Sequence, residues 1–352
     1  MVPSLTTSDR VTQKQIAAAL GVSISLVSRV LAGRGAEIGV AAATSARILA
    51  AARAAGYVPS AAARILRGRR SRTLGVVVAD FADPFLGVMI GELLPRARAL
   101  GHTLLLAGGE RRRLRADDLR PLLQQEIEGL LVLGSGPVAS WIEPFERRGL
   151  RRAQVGQGPG RPGLLSVALD EAAAFDHLLA HLAARGHRRL AFLGGLGFLH
   201  DARARIFTRA VARHGLECRP AWDLRAAEND VQATLAMVTG LARRWSARRG
   251  PTALVAANDV LAFGALRALA EVGLCVPGDL AVTGYDDLPL AALAPPGLTT
   301  LRQPLADMCA AALAWVTEPG PTKTAPAPRR FVPELVVRAS TGGDAETADA
   351  PD

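Results

Sequence analysis

The sequence predicts a small all-α head built around a helix-turn-helix, joined by a hinge helix to an α/β body of two doubly wound parallel-sheet lobes. Three observations predict it. Two short apolar-striped helices flank a glycine turn near the N-terminus, short apolar runs alternate with helical stretches from Leu74 onward, and that alternation restarts at Glu171. With 352 residues and 49% hydrophobic content, the chain can bury more than one core.

In the head, Thr12 can cap a helix whose apolar stripe is Ile16, Ala17 and Leu20. Gly21 ends it, and Ser23 caps a second helix carrying Leu26, Val27, Val30 and Leu31. A third helix is expected over residues 43–55, with Ile48 and Leu49 inward and Gly56 as its stop. Pro59 then opens a helical stretch, Ser60 to Leu66, too short to be stable alone in water. By spacing alone the first two helices fit an ordinary αα-hairpin as well as a DNA-reading motif.

Charge separates the two readings. Up to Thr73 there are eleven Lys and Arg against two acids, a net +9, whereas the remaining 31 basic and 30 acidic residues give +1 of the total +10. A polyanion binder carries that footprint. In a helix-turn-helix the second helix enters the major groove, so Ser23, Ile24, Ser25, Ser28 and Arg29 would face the bases. Arg29 can pair bidentately with guanine, Ser25 can bond either base type, and Ile24 can meet a thymine methyl.

The body reads as strand Leu74 to Val78, a helix over 86–100, strand Thr103 to Leu106, a helix near 117–125, strand Gly129 to Leu133, a helix over 141–148 and a strand around Gln154. The pattern restarts with a helix over 171–184 and strand Leu190 to Leu193. Helices over 202–214 and near 230–247, strand Ala253 to Ala256, a helix over 260–272 and strand Ala281 to Thr283 follow. Continuous apolar strands alternating with helices indicate parallel sheets covered on both faces.

Val11-Thr12 through Arg29-Val30-Leu31, Gly56-Tyr57-Val58-Pro59-Ser60 and Ala63-Arg64-Ile65-Leu66-Arg67-Gly68 resemble the DNA-binding head and hinge of the LacI/GalR family of bacterial transcriptional regulators. The likeness continues through Asp83-Pro84-Phe85, Ala257-Asn258-Asp259, Gly284-Tyr285-Asp286-Asp287 and Pro333-Glu334-Leu335 to about Ser340. It implies a head over residues 10–58, a hinge and linker over 59–73, and a periplasmic-binding-protein-like body over 74–340. The lobes would be residues 74–169 with 299–328, and 170–298 with 329–340, followed by a disordered acidic tail, 341–352. It implies DNA contacts from Thr12, Tyr57, Ala62, Arg64 and Arg67 besides the second helix, with Leu66 wedged into the minor groove. It also implies an effector site of Asp83, Phe85, Arg203, Phe207, Asp259, Tyr285 and Asp286, suited to a carbohydrate. The function implied is a cytoplasmic homodimeric repressor on a near-palindromic operator, with no cofactor. Departures from the family pattern are Ala41 in place of a capping Ser, a long loop from Gly33 to Val40, Gly156-Gln157 in place of an Asp-Arg pair, Glu171 in place of Asn, and Thr208 in place of the Arg that often follows the helix aromatic.

Simpler roles stand beside these. Asp83 before Pro84 could start a turn and Asp259 could cap a helix. Trp222 could be a stacking residue or a surface Trp near Pro220. Asp286 and Asp287, being adjacent, should diverge rather than form an acid/base pair. Gly194-Gly195-Leu196-Gly197 is a weak dinucleotide loop, since the third glycine of the fingerprint falls on His200. This leaves a ligand-binding protein or NAD-type enzyme with an incidental basic head as the second reading. No nucleophile motif stands out. His177 and His181 are at i, i+4 without the Glu or third ligand of a zinc site, and read as a solvated face. Cys218, Cys275 and Cys309 fit buried thiols rather than a disulfide framework. The N-terminus lacks an apolar segment and no run reaches membrane-spanning length, so no secretory signal and no membrane are expected.

Overall fold

The computed structural model describes residues 11–57, 70–109, 114–136, 140–158, 160–227, 229–242, 245, 250–319 and 327–342. One compact unit runs to Ser71 and a second begins at Arg72.

In the first unit, α1 (Gln13–Leu20) starts with a full capping box. Thr12 Oγ1 accepts from Gln15 N at 3.3 Å, and Gln15 Oε1 accepts from Thr12 N at 2.7 Å. Gly21 takes the left-handed conformation (φ 64°) that ends α1. Ser23 caps α2 (Ile24–Leu31) by accepting from Leu26 N at 3.1 Å, and the two helices meet at 113°. The long loop to α3 (Ala42–Ala54) contains a 3₁₀ turn, Ala36–Ile38, and Ala41 gives α3 no side-chain cap. Ile16, Ala17, Val27, Val30, Ile48 and Ala52 form the core. Leu49 is not inward as expected but 40% exposed. The stripe of α3 is Ile48 and Ala52, and Leu49 lies about 100° round the helix from it. The expected hinge helix, including Ala62, Arg64, Leu66 and Arg67, lies outside the described residues.

The second unit has two parallel sheets. β1 (Thr73–Val78), β2 (Thr103–Gly108), β3 (Gly129–Leu133), β4 (Arg151–Val155), β5 (Leu164–Leu169) and β11 (Arg329–Phe331) form the first, in the order β11-β5-β4-β3-β1-β2. β6 (Leu190–Gly194), β7 (Asp223–Arg225), β8 (Ala253–Ala256) and β9 (Ala281–Thr283) form the second, in the order β7-β6-β8-β9. Their central strands are buried throughout, as sheets covered on both faces require. The principal helices are α4 (Pro84–Ala99), α5 (Glu171–Ala184), α6 (Phe198–Arg213), α7 (Val231–Ala242), α8 (Asp259–Glu271) and α9 (Leu305–Thr317). An antiparallel ribbon of β10 (Thr300–Arg302) and β12 (Glu334–Val336) joins the lobes.

Several boundaries move. The stretches near 117–125 and 141–148 are each a 3₁₀ turn followed by a short helix, Arg120–Leu123 and Glu143–Arg147. α6 begins at Phe198, ahead of the expected 202, because Gly197 (φ 110°) lets the chain turn into the helix directly after the glycine loop. β11 pairs with β5, so residues 329–331 belong to the first lobe's sheet rather than the second lobe, and the last crossing follows Phe331. The tail does not begin at Thr341, which is 2% exposed and shares a hydrogen bond with Thr299 Oγ1 at 2.9 Å; residues 343–352 lie outside the described ones. His181 is half-buried, with Nε2 2.9 Å from Thr341 Oγ1, so only His177 faces solvent. Trp222 is buried, which removes the surface alternative, and Cys275 is exposed rather than a buried thiol. Trp222 follows Pro220 into the core beside β6, whereas Cys275 sits in the loop after α8.

Two glycines test the packing of α7 on α8. A Cβ at Gly264 would meet Thr234 Cβ at 2.6 Å and Val231 O at 2.7 Å, whereas one at Gly240 meets nothing within 4 Å. Gly264→Ala should therefore destabilise the chain by about 1–3 kcal/mol through overpacking. Gly240→Ala should stabilise it by about 0.4–1 kcal/mol by restricting the unfolded chain. Denaturant midpoints of the two full-length variants against the parent decide the signs.

Candidate nucleic-acid interface and ligand cleft

The outer face of α2 is polar and free of core duty. Ser23, Ser25 and Arg29 are exposed and Ser28 is partly so, while Val27 and Val30 carry the buried side. Ile24 is 48% exposed, which leaves a branched aliphatic side chain on the face that presents the polar groups. Thr12 is exposed with its hydroxyl engaged in the α1 cap, and Tyr57 packs partly against the head core. The structure thus brings Ser23, Ile24, Ser25, Ser28 and Arg29 onto one helix face.

The body holds a cavity of about 150 Å³ between its lobes. It sits at the carboxyl ends of strands where the strand order of each sheet reverses, between β1 and β3 in one lobe and β6 and β8 in the other, as open α/β sheets place their ligands. A water needs roughly 10–15 Å³ on this measure, so the space suits about ten water-sized groups. Asp80, Asp83 and Phe85 line it after β1, Ser135 after β3 and Gln157 after β4. Glu171 and Arg203 enter from α5 and α6, with Asn258, Asp286 and Gln303 completing the polar lining.

Four of the expected residues line this cavity: Asp83, Phe85, Arg203 and Asp286. Asp83 also caps α4, its Oδ1 accepting from Phe85 N at 2.9 Å, so the turn role and the lining role coincide. Burial raises its pKa, opposed by that backbone donor and raised further by Asp80. Arg203 has 2% of its side chain exposed. Its Nε donates to Glu171 Oε1 at 2.8 Å, its Nη1 donates to the Ala257 carbonyl, and the guanidinium lies 3.5 Å from the Tyr285 ring centroid. Burial pulls the guanidinium pKa down, but Glu171, Tyr285 and Asp286 hold it above its usual value. Asp286 (φ 112°) accepts from Gln303 Nε2 at 2.7 Å, and burial pushes its pKa well above the carboxylate range despite Arg203. Asp287 turns away to Arg302 and Arg338, at 2.6 and 2.7 Å, so the adjacent pair diverges as expected.

Three expected residues do not line the cavity. Phe207 and Tyr285 are fully buried in the second lobe, where Phe207 lies 5.1 Å from the Phe192 ring and Tyr285 lies 6.2 Å from Phe175. Phe207 follows Arg203 by one helical turn and points into the same core, and Tyr285 is the floor under the guanidinium rather than a wall. Asp259 is fully buried too. It does not cap α8, since Asn258 Oδ1 accepts from Leu261 N at 3.0 Å. Asp259 instead accepts from Thr300 Oγ1 at 2.6 Å and Leu288 N at 2.7 Å, tying the second lobe to β10. Burial pushes its pKa up to about 7.

Asn258 and Gln303 were not singled out. Asn258 stands within a recognised stretch, beside the more conspicuous Asp259. Gln303 follows a three-residue strand that no periodicity reveals. The glycine loop after β6 has local causes. A Cβ at Gly194 would meet Phe192 at 2.9 Å, and one at Gly195 would press on the ring of His200 at 3.4 Å. His200 is buried, which pushes its pKa down to about 4.

An α2 face free of core duty and a polar cleft between two doubly wound lobes define a two-part class of protein: a helix-turn-helix head with a ligand-binding body. A family model described as a periplasmic binding protein-like domain matches residues 179–341. The chain is 34% identical over 349 residues to the HTH-type transcriptional regulator MalR of Streptomyces coelicolor, covering 93% of this chain and 95% of that one. It is 30% identical over 299 residues to the HTH-type transcriptional repressor PurR of Photobacterium profundum, covering 83% and 87%. Among solved structures, a lac repressor dimer bound to operator and the anti-inducer ONPF aligns with a TM-score of 0.76 at 22% identity over 95% of this chain and 99% of that one. The complex of the transcriptional regulator CelR with cellobiose aligns with a TM-score of 0.64 at 27% identity over 94% and 100%. The chain belongs to the LacI/GalR family of bacterial transcriptional regulators. Among the described residues no single helix is long and apolar enough to cross a membrane.

Two measurements test the electrostatics. Arg203→Ala leaves Glu171 charged and buried, so it should destabilise the body by about 3–5 kcal/mol, far beyond an exposed arginine such as Arg205. Equal denaturant midpoints for Arg203→Ala and Arg205→Ala would contradict the ion pair's role. For Asp259 the folded pKa, about 7, lies above the usual 3.8, so between those values the folded state binds more protons than the unfolded chain. Its contribution to stability is then most favourable at low pH and declines as pH rises from about 4 to 7. Relative to Asp259→Asn, the parent should lose stability over that window, and a parallel pair of stability–pH curves would rule the shift out.

Proposed function

We propose that this chain is a cytoplasmic, homodimeric transcriptional repressor that reads a near-palindromic operator and is controlled by a small carbohydrate in the interlobe cleft. One observation carries the reading: a single chain joins a helix-turn-helix with a largely exposed polar face, in the segment that holds +9 of the +10 net charge, to a two-lobed body with a polar cavity at both switch points. Ser23, Ile24, Ser25, Ser28 and Arg29 read base edges, with Thr12 and Tyr57 beside the backbone. From the sequence, Leu66 is assigned to the minor groove, with Arg64 and Arg67 beside it at the phosphates and Ala62 as a further DNA contact. Asp83, Asp286, Gln157 and Gln303 offer the hydrogen-bonding set of a polyol site, and Phe85 offers an apolar face. The relatives named as transcriptional regulators support regulation over the enzyme reading. The sugar complex of the CelR relative and the operator complex of the lac repressor dimer support the carbohydrate and dimer assignments.

The test is DNA retardation by the full chain on an operator selected from a random duplex library. Arg29→Ala should cost about 1–3 kcal/mol on that operator and relax preference at one base pair per half-site, with little loss on random DNA. Equal losses on both would remove Arg29 from base reading. An operator with no two-fold relation between its halves would remove the dimer.

A further inference from the structure

We propose that Glu171 is a specificity-determining residue: paired with Arg203 on the cavity wall, it makes the cleft take uncharged sugars and turn away their carboxylate and phosphate derivatives. The inference rests on the interlobe carbohydrate cleft proposed above and adds the residue that sets its selectivity.

Both members of the pair line the cavity, and each has 2% of its side chain exposed. Arg203 is the one cation among the described lining residues, against the carboxyl groups of Asp80, Asp83, Glu171 and Asp286. A buried arginine facing a ligand cavity is by its chemistry an anion seat, because its planar fork matches a carboxylate or a phosphate. Here the fork is already answered. Nε donates to Glu171 Oε1 at 2.8 Å, Nη1 donates to the Ala257 carbonyl, and the guanidinium lies 3.5 Å from the Tyr285 ring centroid. Asp286 Oδ1 adds a second carboxyl 3.9 Å from Nη1. Whatever protons Asp83 and Asp286 hold, Glu171 balances the guanidinium at contact distance. An incoming anion therefore finds no unbalanced positive charge.

What the pair leaves over suits a hydroxyl. A guanidinium has five N–H donors and only two are given above, while Glu171 Oε2 has no donor among the described residues. Donor and acceptor thus stand side by side on the wall. One hydroxyl can accept from Arg203 and donate to Glu171, using both. An ionised carboxylate or phosphate oxygen satisfies the guanidinium alone and brings like charge against Glu171, which is costly where little water is left to screen it. The carboxylate is also held in place. Its helix is capped one residue earlier by Asp170, whose Oδ1 accepts from Ala173 N at 3.1 Å, and its own Oε1 is fixed by Arg203.

Titration calorimetry of the full chain against matched twins tests this: glucose with glucuronate, galactose with galacturonate, mannose with mannuronate, and glucose with glucose 6-phosphate. In the parent, at least one neutral sugar should bind about tenfold or more tighter than its anionic twin. Glu171→Gln keeps an acceptor for Arg203 Nε but removes the charge, and should move that ratio about tenfold or more toward the anion. Because it also strips a buried cation of its partner, the anion at matched ionic strength should raise the melting temperature of Glu171→Gln more than that of the parent. If Glu171→Gln does not fold, Glu171→Asn carries the same comparison. The basic head is common to parent and variants, so anions bound there cancel. A parent in which sugars bind but no neutral sugar exceeds its anionic twin overturns the proposal and leaves the cleft standing, as does a ratio that the amide variant fails to move. Silence from both series overturns the carbohydrate cleft and the proposal with it.

Discussion

A guanidinium with 2% of its side chain exposed stays charged in a protein interior only if every neighbour is arranged for it, and the interlobe cleft is organised around that requirement. Glu171 from the first turn of α5 meets Arg203 from the second turn of α6, so two consecutive helices of the second lobe are registered by one ion pair. Tyr285 from the loop after β9 supplies the aromatic floor and Ala257 at the end of β8 the carbonyl, which brings two further strand ends to the same point. The cleft wall is therefore stiff where it meets the cavity, and the lobe's aromatic cluster of Phe175, Phe192, Phe207 and Tyr285 packs directly behind it.

The same neighbourhood contains a second buried carboxylate with a different duty. Asp259 does not touch the cavity, but its two oxygens join the start of α8 to Thr300 in the crossover ribbon and to Leu288. Gly284 makes room for it, since a Cβ there would collide with Asp259 Oδ1. Thr299, next in the chain to Thr300, bonds Arg338 and Thr341, so the two returning segments of the chain are pinned to each other where they pass between lobes.

The head and the order of most strands were legible because they obey local rules. Thr12, Ser23 and Gly21 perform at the termini of α1 and α2 the roles their residue types suggest, and the apolar runs at Leu74, Gly129, Leu190 and Ala253 are long enough to be strands buried on both faces. Most of what escaped was decided by distance along the chain, although β5 and β7, which pair with the nearby strands β4 and β6, also went unread. β10, β11 and β12 are three residues each and exist only through partners far away in sequence, so neither Gln303 nor the membership of Arg329–Phe331 carried a local signal. Asp259 and Tyr285 fell within recognised motifs, but lining a cavity and supporting it from behind place the same residue type at the same position in sequence. Only the side-chain partners separate the two.

The pairing of β11 with β5 has a meaning for the order in which the protein is made. The second lobe is nearly continuous in sequence from Asp170 to about Leu298, so all four of its strands are available as soon as that stretch has left the ribosome. The first lobe is not. It opens with β1 at Thr73, yet its edge strand and its covering helix α9 come from beyond residue 304, and Trp315 of α9 must return to bond the Arg152 carbonyl. Contacts of that sequence separation are the slow ones in folding. During synthesis the sheet begun first is the one finished last, with an open edge beside β5 until β11 emerges, while the four strands of the second sheet are already available.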